Sequence, residues 1–146
     1  LMTSMVEISC SIDTTDPSAP LGLEIWLDQQ KLLDQPCVSE TMCWSGQIPD
    51  DDGEHELRWI LKNKTSEHTA VDEQGNILRD ACVTIRDLKF DGIELGHIFV
   101  TQSTYSHDFN GTGDATQETF YGNMGCNGIV SLKFTTPIYL WLLENL

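Results

Sequence analysis

The chain has 146 residues, 40% of them hydrophobic, with four Trp and five Phe. That suits one domain with a real core. Eight basic against 23 acidic residues give a formal charge of −15. Such a surface repels phosphate backbones and anionic lipid, which argues against nucleic-acid or membrane partners.

Residues 1–4, with Leu1 before Met2, read as an appended or disordered edge. No basic and apolar leader follows, so the expectation is a chain made in a cytoplasm and used in a virion or outside a cell. MVEISCSI (5–12) and GLEIWLD (22–28) alternate apolar with polar residues, the period of half-buried strands. DTTDPSAPLG between them is a loop. Asp28-Gln29-Gln30 turns the chain back into Lys31-Leu32-Leu33 as a hairpin. CVSETMCW (37–44) alternates again, and SGQIPDDDG reads as an acidic turn. EHELRWILKN (54–63) places Leu57, Trp59 and Leu61 on one face. CVTIRDLKF (82–90) is a further strand, and Asp91-Gly92 turns it into IELGHIFV. GIVSLKFTT follows near the end, then PIYLWLLENL, whose last seven residues fit strand or helix. About nine strands at roughly ten-residue spacing predict an all-β, antiparallel, jelly-roll-like sandwich spanning 1–146 as one domain.

Five cysteines without a CxxC pair favour free, buried thiols, with a Cys37–Cys43 bridge as the alternative. No HxH, HExxH or GxSxG spacing occurs, so the chain is read as non-catalytic. The Asn63-Lys64-Thr65 and Asn110-Gly111-Thr112 sequons are taken as coincidence.

Two connections are too long and polar for simple turns: 63–80 and, above all, 105–128, YSHDFNGTGDATQETFYGNMGCNG. The second holds five of the eleven glycines and lies in a stretch without Lys or Arg between Lys89 and Lys133. It is expected to be a binding loop for neutral ligands or cations. Tyr105 and Tyr121 can stack on sugar rings, with His68, His107, Asn110 and Asn123 supplying hydrogen bonds. Asp108, Asn110 and Asp114 in DFNGTGD form a partial set of oxygen ligands for calcium, although Thr119 stands where an EF-hand has its bidentate Glu. The competing reading is a turn whose side chains bond their own backbone. If the two loops share an end, His68, Asp72, Glu73 and Asp80 meet Tyr105, His107, Asp108 and Asn110.

DGEHELRWILKNK followed by CVTIRDLKFDGIEL resembles the calcium-dependent xylan-binding modules, and the likeness covers about 40 residues. It implies a jelly roll with calcium and sugar held in loops, although the loop before CVTI offers only Asp72, Glu73 and Asp80 as acids. NKTSEHTAVDEQGNILRDACVTI, YSHDFNG, FYGNMGCNG and FTTPIYLWLLENL resemble small proteins encoded by marine cyanophages, over most of residues 20–146. That likeness implies a host-surface recognition domain or a virion component. The expectation is a non-catalytic, phage-type module for neutral glycan, with a homo-oligomer allowed. The alternative is a structural virion protein whose long loops make subunit contacts.

Overall fold

The computed structural model describes residues 4–146, so the reading of residues 1–4 falls almost wholly outside them; Ser4, the first described, accepts a backbone hydrogen bond from Asp50. The protein is all-β, with two antiparallel sheets and a small hairpin. The described residues form thirteen strands, not about nine. In chain order they are β1 (Met5–Thr14), β2 (Gly22–Leu27), β3 (Gln30–Gln35), β4 (Met42–Pro49), β5 (Glu54–Lys62), β6 (Thr69–Val71), β7 (Ile77–Asp80), β8 (Val83–Phe90), β9 (Ile93–Glu94), β10 (Ser103–His107), β11 (Thr116–Thr119), β12 (Asn123–Met124) and β13 (Gly128–Thr135). Two short helices, α1 (His97–Gln102) and α2 (Ile138–Glu144), complete the chain. One sheet runs β12-β8-β1-β4, with β9 on β8; the other runs β11-β10-β13-β5-β2-β3. No helix among the described residues is long and apolar enough to cross a membrane.

Period-two patterning puts the core where it is. Val6, Ile8, Cys10 and Ile12 of β1 are buried, as are Leu57, Trp59 and Leu61 of β5 and Val130, Leu132 and Phe134 of β13. These side chains from both sheets belong to one hydrophobic cluster. Phe90 of β8 meets Phe134 of β13 at 5.1 Å between ring centroids, a direct contact from sheet to sheet. In β8 the inward parity switches after Ile85, because Leu88 and Phe90 are the next buried residues. An extra residue there, with Asp87 at φ 56°, shifts the register against β1 between Ser9 and Ser11. This β-bulge lets both halves of the strand face the core.

Three expected elements differ, each for a physical reason. Cys37–Thr41 is irregular, and the strand begins at Met42 and takes in SGQIP, because Trp44 and Ile48 alternate inward. β4 is an edge strand, which tolerates Pro49 at its end. IELGHIFV is not one strand: Ile93–Glu94 closes a short hairpin, then Gly96 at φ 55° turns into α1. Leu95, Ile98 and Phe99 are buried at helical spacing, and Phe99 packs on Trp59 at 5.3 Å. The C-terminal segment is helical, burying Ile138, Trp141 and Leu142 at i, i+3 and i+4. All five cysteines are free, so Cys37 and Cys43 are not bridged. Burial pushes the Cys10 thiol up to about 12, so it remains a neutral core group.

Candidate functional site

The 105–128 segment is not an open loop. It leaves the six-stranded sheet and returns to it, touching the other sheet on the way. Tyr105–His107 finish β10, paired with β13 on one side and β11 on the other. Asn123↔Thr84 and Met124↔Val83 then attach β12 to the opposite sheet. The segment then enters β13 at Gly128, where a Cβ would lie 2.3 Å from the Ser106 carbonyl and 2.9 Å from the His107 Cβ. Only glycine permits that approach between β10 and β13.

The segment and the 63–80 connection do meet, through Lys64. Its side chain is 2% exposed, and its ammonium donates to the Asp80 carboxylate and the Gly125 carbonyl. Its backbone closes a ring with Asn127: Lys64 N–H donates to Asn127 Oδ1 at 2.9 Å, and Asn127 Nδ2 donates to the Lys64 carbonyl at 2.8 Å. Asn127 N–H in turn donates to Asn110 Oδ1 at 2.7 Å. Burial raises the pKa of Asp80, but the Lys64 and Thr69 hydrogen bonds outweigh it and hold the carboxyl below its ordinary value. Lys64 and Asn127 thus fasten both connections together. Neither was singled out in the sequence, although a lone lysine inside an otherwise polar, acid-bearing connection was a usable signal.

The residues expected to bind ligand do not share one setting. Tyr105 is turned inward, 4% exposed, and its hydroxyl donates to the Cys126 carbonyl while accepting the Cys126 N–H at 2.8 Å. Its ring fills the core edge against Phe120 and offers no stacking face, because a largely apolar ring is worth more buried. Tyr121 is 79% exposed and Asn123 is also exposed. His107 packs between Tyr105 and Phe109, with Nε2 3.3 Å from Glu118 Oε1. Phe109 is partly exposed at the tip of the β10–β11 hairpin. His68 stays with its own connection: its Nδ1 accepts the Thr65 N–H at 3.0 Å. Asp72 likewise caps its own turn through Gln74 and Asn76.

DFNGTGD forms the hairpin tip. Asp108 Oδ1 accepts the Gly111 N–H at 2.8 Å, and Asn110 Oδ1 is taken by Asn127. Two of the three expected calcium ligands therefore already bond backbone N–H groups. Among the described residues no group of three or more His, Cys, Asp or Glu side chains could hold a metal ion.

A second locus lies at the far end of the same sheet. The β5–β13 ladder runs from Leu61↔Gly128 at the segment to Glu54↔Thr135 at a cleft of about 430 Å³. Asp28, Glu54, His55, Glu56, Lys133 and Trp141 are among its walls. His55 is held at both ring nitrogens: Nδ1 is 2.7 Å from Asp28 Oδ2 and Nε2 is 2.7 Å from Asp51 Oδ1. Burial opposes charge on the ring, but the two aspartates prevail and raise its pKa. The same bond lowers the pKa of Asp51. No catalytic partner is needed to explain this histidine, since it ties the β2–β3 and β4–β5 turns to β5. The alternation of EHELRW left His55 on the inward face, which is the signal that could have found it.

The chain matches no family model, no curated protein and no solved structure in these comparisons.

Two outcomes follow from these contacts. Lys64→Met removes the buried ammonium and strands Asp80 and the Gly125 carbonyl, so urea unfolding is expected to show a loss of about 3 kcal/mol. His55 carries a raised pKa, so its bonds stabilise fully below the ordinary 6.5 and fade as pH rises through the raised value. Asp51 carries a lowered one, so its share is present above 3.8 and fades as pH falls through the lowered value. Thermal melts of His55→Gln across pH are expected to show a Tm a few degrees lower between those limits, and no alkaline loss from this group.

Proposed function

We propose that this chain is a non-catalytic, phage-type carbohydrate-binding module that takes neutral glycan on the 105–128 surface. Its two sheets, joined by one core, are read as the layers of a jelly-roll-like sandwich. The observation that carries the reading is Tyr121, 79% exposed in a segment whose backbone is fastened by Lys64, Asn127 and Tyr105. An exposed aromatic ring on ordered backbone can stack on the apolar face of a sugar without prior rearrangement. Ordered backbone also lowers the entropy lost on binding.

The chemistry around the ring suits a sugar. Asn123 and Glu118 are exposed close by in sequence and offer hydrogen bonds, and Lys64, which bonds the segment, has its charge buried. Phe109 and Tyr121 stand at opposite ends of β11, more than about 10 Å apart by strand rise. That spacing favours an extended glycan over a single ring. Tyr105 drops out of the contact set and acts as support. Asp114 and the second oxygen of Asp108 are the carboxylate oxygens that calcium would use, and the ion would then order the hairpin tip beside Phe109. Weak single sites of this kind gain strength from repeated display, as on a virion or outside a cell.

A second reading, a structural virion protein, draws on a different observation. Val71, Ile77 and Leu78 on the β6–β7 hairpin and Tyr139, Leu140 and Leu143 on α2 are exposed. Apolar surface in two places fits subunit contacts.

Glycan-array binding is expected to be lost in Tyr121→Ala and kept in a chain with intact Tyr121. Retained binding in that variant, or no binding to any neutral glycan, would refute the lectin reading. If calcium takes part, a chelator lowers both binding and Tm. Sedimentation decides the second reading, because a subunit-contact protein is expected to associate as concentration rises while a lone module stays monomeric.

A further inference from the structure

We propose that the outer face of α2 docks a basic amphipathic helix of another protein. This docking does not rest on the glycan reading. It differs from contact between copies of this chain in the charge it requires of the partner.

The sequence of α2 is apolar on every side. In Ile138–Glu144, IYLWLLE, only Glu144 is charged. A helix of that composition is ordinarily buried all round. Here Ile138, Trp141 and Leu142 are buried, with Trp141 packed against Phe90 and Phe134. Tyr139, Leu140 and Leu143 are instead each more than half exposed. They stand at i, i+1 and i+4, so they share one helix face and form a continuous stripe. Apolar side chains gathered in this way, unlike single scattered ones, mark a contact surface. A stripe one short helix long suits the side-chain ridge of a second helix.

The rim of the stripe sets the partner's charge. At one flank the Tyr139 hydroxyl donates to Asp91 Oδ2 at 3.3 Å. That carboxylate is fixed in place, because its other oxygen accepts the Glu7 N–H at 2.8 Å. The charge of Asp91, with Asp50 adding to it, pushes the Tyr139 phenol above its ordinary value. The acidic turn after Asp50 is fastened to the start of α2. Thr136 N–H donates to the Gly53 carbonyl at 3.0 Å, and Thr136 Oγ1 accepts the Asp51 and Gly53 N–H groups. Glu144 stands exposed at the far end of the helix. Against these acids is Lys133, which shares a cleft with Trp141.

A second copy would bring a further charge of −15 to this rim, and anionic lipid would be repelled for the same reason. A leucine-type ridge flanked by Lys or Arg answers both features. The ridge covers Tyr139, Leu140 and Leu143, and the cations meet Asp50, Asp91 and Glu144.

The test titrates the full chain with a short synthetic helix of leucine and lysine, its leucines on one face. The controls are a scrambled peptide of the same composition and the same helix with glutamate for lysine. Calorimetry is expected to show saturable binding of the first, at least about tenfold weaker binding of the scrambled peptide, and none of the glutamate helix. Leu140→Gln and Leu143→Gln, both at exposed positions, should each weaken binding about fivefold. Glu144→Gln should weaken it about twofold, an effect lost at high salt. Ile77→Gln and Leu78→Gln, on the equally exposed β6–β7 hairpin with its own acidic turn, should change nothing. Tyr121→Ala should also leave binding intact, which separates this face from the glycan surface. Equal binding of the scrambled peptide, indifference to both leucine changes, or an equal loss from the hairpin changes would overturn the proposal. So would self-association of the chain that either leucine change abolishes, because the stripe would then belong to a second copy.

Discussion

An ammonium group taken out of water must be answered on every side, and Lys64 sets that requirement at the seam of this molecule. Its 2% exposed side chain demands a carboxylate and a carbonyl, and Asp80 and Gly125 supply them from two different connections. Once those groups converge, Asn127 can close its two bonds to the Lys64 backbone and pass a third to Asn110. The hairpin tip, the start of β13 and the end of β7 are thereby fixed relative to one another. The same convergence makes 105–128 a surface with defined positions for Tyr121 and Phe109.

Charge is distributed around this scaffold with some economy. The chain carries 23 acids, and a buried lysine and a buried histidine each draw carboxylates at opposite ends of one strand pair. At the Lys64 end the cation is enclosed and the outer surface is left polar, with aromatic side chains standing in water. At the His55 end the imidazole is consumed by Asp28 and Asp51. The two ends therefore present different chemistry. One offers an exposed aromatic ring among polar and acidic side chains, and the other a buried histidine held between two carboxylates.

How much of this was legible in the sequence depends on the range of the interaction. Strands β1, β5 and β13 were readable because a buried face imposes strict alternation, as in Val6-Ile8-Cys10-Ile12. The bulge at Asp87 was not, since the switch from Ile85 to Leu88 makes sense only against β1. IELGHIFV read as a strand because its apolar residues are dense; Gly96 and the packing of Phe99 on Trp59 made α1 instead. The 105–128 segment stands out by its composition, and Tyr121, set among polar neighbours, is exposed. Tyr105 has neighbours of the same kind, yet its hydroxyl found the Cys126 backbone and its ring the core.

The sequence by itself determined the all-β class, the principal core strands and the acidic, locally lysine-free character of 105–128, because these depend on residue type and short spacing. Only the tertiary structure decided which aromatic is buried, that Lys64 joins the two polar connections, and that His55, Glu54 and Trp141 surround one cleft. Those facts join groups tens of residues apart, and satisfying a buried charge or filling a core is settled by whichever partners the fold brings within reach.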